Sequence, residues 1–174
     1  MSLRPDAAGR ATSSTKIVLD GMDRLLVDTN VLVYAYDPRD RLKQDVASVL
    51  LRELVLSERA VVSAQCLSEF FAVSTRRLPE PLTSVEALEQ VERLSRACRV
   101  LDVTAAVVLE ACRGVATHAL SLWDALIWAV AKLNQVPYLL TEDGQHGRYL
   151  EGVRFLNPFR GDFSLDAYLL APRS

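Results

Sequence analysis

Short apolar runs recur along this chain at intervals that helical segments fill, and that alternation most constrains the fold available to it. The runs are Leu25–Val27, Ala60–Ser63, Arg99–Leu101, Val136–Leu140 and Val153–Leu156. Between them, helical patterning follows Val27 as far as Tyr36, then covers about 42–57, 65–77, 83–97, 104–116 and 122–134. Asp37-Pro38 breaks the first helix, and Pro79 and Pro81 stop the third. Thr83 and Glu86 stand at capping-box spacing. Strands apolar on both faces, alternating with helices, predict an α/β protein with a parallel sheet covered by helices.

At 174 residues a single domain with a substantial core is expected. Residues 1–22 are small, polar and aperiodic and read as a flexible N-terminal extension, leaving a folded domain over 23–160 and a tail over 161–174. One short helical turn is expected in that tail, around Leu165–Leu170. No apolar run approaches the ~20 residues that span a bilayer. The start also lacks the basic-then-apolar pattern of a secretory signal, so a cytoplasmic protein is expected, with no membrane partner.

Four acids fall where burial is otherwise the rule. Asp28 closes Leu25-Leu26-Val27 and precedes Val31-Leu32-Val33. Glu69 has Gln65, Cys66, Ala72, Val73 and Arg76 at helical spacing, a mostly small or apolar surround. Asp124 interrupts Leu122-Trp123 and Ala125-Leu126-Ile127-Trp128, on a helix apolar all round. Asp143 follows the strand ending at Leu140. Each has an ordinary explanation: Asp28 as a helix cap, Ser121 and Asp124 as a capping box, Asp143-Gly144 as a turn, Glu69 as a solvated helix residue. A cap does not explain why Asp124 stays charged on a buried helix. Asp28 and Asp143 both fall at carboxyl ends of strands, the edge where open parallel sheets bind ligands. Converging carboxylates cannot all ionise without a cation. Oxygen ligands without nearby cysteine or histidine select Mg²⁺ or Mn²⁺ over zinc, and such a cluster serves phosphate chemistry.

The remaining reactive residues are less informative. Cys66, Cys98 and Cys112 form no paired motif and are expected to be buried free thiols. His118 and His146 lack partners at ligand spacing and are expected to be structural or at the surface. A net charge of −2 argues against nonspecific coating of nucleic acid but not against a nuclease.

At these residues the chain resembles the PIN-domain ribonucleases, particularly the VapC-like toxins of prokaryotic toxin–antitoxin pairs. The segments that carry the resemblance are Val27-Asp28-Thr29-Asn30-Val31-Leu32, Ser63-Ala64-Gln65-Cys66-Leu67-Ser68-Glu69-Phe70, Leu122-Trp123-Asp124-Ala125-Leu126-Ile127, Leu139-Leu140-Thr141-Glu142-Asp143 and Gly152-Val153-Arg154-Phe155-Leu156-Asn157-Pro158-Phe159. They run in family order over most of the chain. The resemblance implies a three-layer α/β/α sandwich with a central parallel sheet and an acidic pocket formed by Asp28, Glu69, Asp124 and Asp143. It implies supporting hydrogen bonds from Asn30 and Thr141, Mg²⁺ or Mn²⁺ as cofactor, and endonucleolytic cleavage of RNA. It implies a cognate antitoxin as partner. The family pattern favours Asp143 over its neighbour Glu142.

The expected division of labour gives the metal to Asp28 and Asp124, with Asp143 completing its shell. Glu69 orients or deprotonates the attacking water, or bridges to a second ion. Arg76 and Arg77 are candidates for substrate phosphates, ahead of Arg148 and Arg154. The apolar helices between Leu42 and Ala97 could serve a homodimer or the antitoxin. Two other readings stand beside this one. A noncatalytic RNA-binding module would not need the four acids. A haloacid-dehalogenase-like phosphohydrolase wants a second Asp two residues after the first, where this chain has Asn30.

Overall fold

The structure, a computed structural model, describes residues 23–169; the expected extension over 1–22 and the last part of the tail lie outside them. In chain order the elements are β1 (Leu25–Val27), α1 (Thr29–Tyr34), α2 (Arg41–Leu56), β2 (Ala60–Ser63), α3 (Ala64–Ser74), α4 (Ser84–Ala97) and β3 (Arg99–Leu101). They continue with α5 (Ala105–His118), α6 (Leu122–Leu133), β4 (Tyr138–Leu140), β5 (Tyr149–Leu150), β6 (Val153–Leu156) and α7 (Asp166–Leu169).

The sheet order is β3-β2-β1-β4-β6-β5, parallel throughout except for the β5–β6 pair at the edge. From β1 the chain steps outward to β2 and β3, then crosses back over β1 to lay down β4. Right-handed crossovers, the rule for parallel strands, send the helices of these two halves to opposite faces of the sheet. The helix contacts divide accordingly: α1 packs on α2 and α3, and α3 on α4, while α5 packs on α6. The result is the expected α/β/α sandwich. Its switch of direction falls between β1 and β4.

The core explains why the strands are short yet secure. Leu25, Leu26 and Val27 have no exposed surface, and Leu139 and Leu140 flank them on β4. Each such side chain contributes about 1.5–3 kcal/mol from burial. Polar caps fix where helices begin. Ser63 accepts from the Cys66 amide, Ser121 from the Asp124 amide, and Thr83 with Glu86 closes the expected capping box. Helix α5 meets α6 at Gly114, where an added Cβ would lie 2.7 Å from Cζ3 of the buried Trp128. Glycine there permits a close approach that alanine would block.

The structure departs from the sequence reading in several places. Helix α1 ends at Tyr34 and α3 at Ser74, each followed by tighter turns such as Tyr36 N–H to Val33 O and Arg76 N–H to Val73 O. Strand β5 was not expected. It exists because Glu151 and Gly152, at φ 45° and 93°, make a two-residue turn that folds it antiparallel onto β6. Cys66 and Cys98 are buried, but Cys112 is exposed. The buried stripe of α5 is Val107, Ala111 and Gly114, and Cys112 sits one position off it. In the tail, Phe163 stacks on Tyr168, whose ring meets Tyr138 edge-on at 5.1 Å, and Arg59 donates to Tyr168 O. No single helix among the described residues is long and apolar enough to cross a membrane.

Candidate active site

Strand β1 delivers Asp28 to the carboxyl edge at the switch point, and β4 delivers Thr141 and Asp143 beside it. The amide of Asp28 donates to Leu140 O at 2.9 Å, which locks the two strand ends together. Helices α3 and α6 both start at this edge, because α3 leaves β2 there and α6 runs back toward the start of β4. Glu69 lies in the second turn of α3 and Asp124 in the first turn of α6. One cavity of about 330 Å³ is lined by all four expected acids together with Asn30, Gln65, Trp123, Asp37 and Arg39. The fold thus brings together acids from four separate segments.

Each carboxylate is held by named donors. Asp28 Oδ1 accepts from the Thr29 amide at 2.6 Å, and Oδ2 accepts from Thr141 Oγ1 at 2.6 Å and Asn30 Nδ2 at 3.2 Å. Asn30 Nδ2 also reaches Asp143 Oδ2 at 3.0 Å, and the Asp143 amide donates to Thr141 Oγ1 at 3.0 Å. Glu69 accepts from Thr29 Oγ1 and from Gln65 Nε2, each at 2.9 Å. Asp124 Oδ2 accepts from Ser121 Oγ at 2.8 Å and its amide donates to the same hydroxyl, so Ser121 caps α6 without the reciprocal backbone bond of a capping box, and Asp124 still lines the pocket. Burial pushes the Asp28 carboxyl up to about 6, and the negative charges of Asp143 and Glu69 add to it, against the pull of the Thr141 and Thr29 hydrogen bonds.

Glu142 and Asp143 part company. Glu142 pairs with Lys43 and accepts from the Tyr34 hydroxyl at 2.6 Å, and it does not line the cavity. Asp143 does. Arg76 and Arg77 line an adjoining cavity that shares Glu69 with the first. Arg148 donates instead to His118 O, and Arg154 lies over the Tyr149 ring; neither lines the acidic cavity. Two lining residues have roles that sequence reading did not give them. Asp37 marked only a helix break, yet it lines the cavity with its carboxylate forked onto Arg39. Gln65, in sequence only a neighbour of Glu69, lines the cavity and donates to Glu69.

The donor set suits a hard cation. Five carboxylates line the cavity against one guanidinium, and Arg39 is already engaged by Asp37. Gln65 Oε1 is buried without a hydrogen-bond partner, an acceptor left over in a pocket of acceptors. Such a surplus of oxygen lone pairs calls for a cation or its bound waters. Among the described residues, no three acidic, histidine or cysteine side chains are drawn to coordination distance of one point. The acids line the cavity's walls, each held in its own hydrogen bonds.

This architecture, a doubly wound sheet with acids gathered at its switch point, defines the class to which the chain belongs. Residues 25–150 match the PIN domain family, and the protein is a member of it. None of the curated proteins is similar to it in sequence. Among solved structures, it resembles VapC20 of Mycobacterium tuberculosis, described as a sarcin-ricin loop cleaving toxin, at 24% identity and TM-score 0.55, covering 75% of this chain and 98% of that one. FitAB bound to an IR36 DNA fragment aligns at 21% identity and TM-score 0.59, covering 80% and 98%. DNA-bound VapBC from Salmonella typhimurium aligns at 16% identity and TM-score 0.55, covering 77% and 97%. At these identities the likeness is one of fold.

Proposed function

We propose that this protein is a Mg²⁺- or Mn²⁺-dependent endoribonuclease and the toxin of a toxin–antitoxin pair acting in the cytoplasm. The observation that carries the reading is the convergence of Asp28, Glu69, Asp124 and Asp143 on one cavity at the β1–β4 switch point. Residues 23–160 carry the activity in this reading, with 1–22 and 161–174 outside its chemistry.

Asp28, Asp124 and Asp143, with Glu69, are the residues that would hold the metal. When bound, the ion supplies positive charge that offsets the phosphodiester and makes a water more acidic. Asn30 and Thr141 keep the Asp28 and Asp143 carboxylates aimed at the cavity through the hydrogen bonds above. Glu69, fixed at both oxygens by Thr29 and Gln65, is placed to orient the attacking water and accept its proton. That water attacks phosphorus in line, the P–O bond to the leaving oxygen breaks, and that oxygen takes a proton from solvent.

The antitoxin is supported by the VapBC complex among the structures of like fold, and surface for it or for a homodimer exists on α2 and α4. Leu42, Leu56 and Val85 are 80%, 72% and 66% exposed there. The test is cleavage of RNA by the purified chain. Cleavage should require Mg²⁺ or Mn²⁺, stop with chelator, and fall by on the order of 1,000-fold in Asp28→Asn. Cleavage unchanged by that substitution would sink the proposal.

A further inference from the structure

Beyond the acidic cavity, α3 and the start of α6 enclose a second one of about 470 Å³, which shares Glu69, Val73 and Trp123 with the first. Its character is different. Arg76 and Arg77 line it, and Glu69 is its only acid. The two tryptophans of this chain have opposite fates: Trp128 is fully buried, whereas Trp123 is 63% exposed. A large aromatic left in water beside a cavity offers a face for stacking. Gln65 Nε2 reaches Trp123 O at 3.5 Å and Glu69 at 2.9 Å, so one amide side chain ties the tryptophan's backbone to the acidic pocket.

The arginines of this cavity are also unlike Arg39 of the first, which Asp37 engages. Arg39, Arg52, Arg96, Arg113 and Arg160 each engage a carboxylate. Among the described residues, Arg76 and Arg77 have no side-chain hydrogen bond or ion pair, and both are exposed. They sit in the turn that ends α3, held by backbone bonds to Val73 O. A polyanion entering a pocket of five carboxylates needs positive charge close by, and this pair is the unengaged cation source that the second cavity supplies.

We propose that Trp123, Arg76 and Arg77 form a nucleotide subsite continuous with the acidic pocket, in which an unpaired base of the substrate RNA stacks on the indole and a neighbouring phosphate is held by the two guanidiniums. The inference rests on the ribonuclease reading and adds to it where the strand lies: it leaves the cleavage position past Glu69 toward the end of α3. Stacking on an aromatic face tolerates every base, so this subsite demands an unpaired nucleotide more than a particular sequence.

The test uses the full chain in an Asp28→Asn background, with a fluorescein-labelled eight-nucleotide single-stranded RNA in Mg²⁺. Trp123→Ala should weaken binding roughly tenfold, and Trp123→Phe should restore most of it. Arg76→Ala combined with Arg77→Ala should weaken binding and lower the salt slope by about 0.7, the single-strand value for one phosphate no longer neutralised. RNA should quench the emission of Trp123, read as the signal missing from Trp123→Phe. In the cleaving parent, Trp123→Ala should raise KM with little change in kcat. Unchanged RNA affinity in both the Trp123→Ala and the double arginine variants overturns the subsite, while cleavage by the parent would leave the nuclease reading standing. Variants that bind RNA normally but lose a protein partner overturn it too, and assign the surface to that partner. A parent that neither binds nor cuts RNA overturns both.

Discussion

Thr141 Oγ1 donates to Asp28 Oδ2 at 2.6 Å, joining the ends of two strands that lie 113 positions apart in the chain. Thr141 is 4% exposed, and its hydroxyl also accepts from the Asp143 amide. One side chain therefore sets the position of two acids. Thr141→Val keeps the shape and removes the donor. It should lower cleavage roughly 10- to 100-fold with the fold intact by circular dichroism, and Thr141→Ser should recover most of the loss. Wild-type rates in Thr141→Val would refute this positioning role.

Asp28→Asn should do two opposite things. It should cut cleavage by on the order of 1,000-fold, and in chelator at pH 7.5 it should raise the melting temperature. The sign follows from the carboxyl standing at about 6 when folded against an ordinary 3.8. A raised acid penalises folding only where the unfolded chain is ionised, so the penalty grows from about pH 4 to pH 6 and is full above it. Two pH units correspond to about 3 kcal/mol at most, or several degrees in a domain of this size. The difference between variant and parent should vanish below pH 4. A variant that melts lower than the parent at pH 7.5 contradicts the account.

Glu142 and Asp143 are adjacent acids with separate employment. Glu142 is taken up by Lys43 and Tyr34, and Asp143 faces the cavity. Asp143→Asn should cut activity by roughly 100-fold, whereas Glu142→Gln should stay within a few-fold of the parent and lose a little stability. Initial rates on one RNA substrate decide the matter, and the reverse ranking would reassign the site.

Gly114→Ala is the expected exception to a general rule. In a helix interior this change normally stabilises by about 1 kcal/mol. Here the new Cβ would press on Trp128 at 2.7 Å, and the indole is pinned by its Nε1 bond to Leu150 O. The variant should be less stable by about 1–3 kcal/mol in urea. A higher denaturation midpoint would mean that α5 and α6 can separate without loss.

How much of this could be read from the chain depends on how local each cause is. Apolar strands and helix periods are local, so five of the six strands and a parallel sheet covered by helices follow from the sequence, while the three-layer sandwich comes from the family resemblance. Asp28, Asp124 and Asp143 betray themselves by interrupting or ending buried runs. Strand β5 does not: two residues carry no period, and its existence depends on the Glu151-Gly152 turn and on β6 being there to receive it. Asp37 and Gln65 are ordinary polar residues in sequence, and only the packing of α1 against α3 gives them a shared cavity. Cys112 shows the complementary error, since an apolar helix still has an outer side.

The alignment Val27 to Leu140, fastened by the Asp28 amide on Leu140 O, has a consequence for quality control. A shift of β4 by one residue would turn Thr141 to the far side of the sheet and strip Asp28 of its donor, while leaving a compact chain with its helices in place. Such a molecule would pass most tests of foldedness and be chemically silent. If the proposed ribonuclease activity depends on this alignment, only correctly finished molecules would carry it, so errors in folding would waste the protein without releasing a weakened or promiscuous form of it.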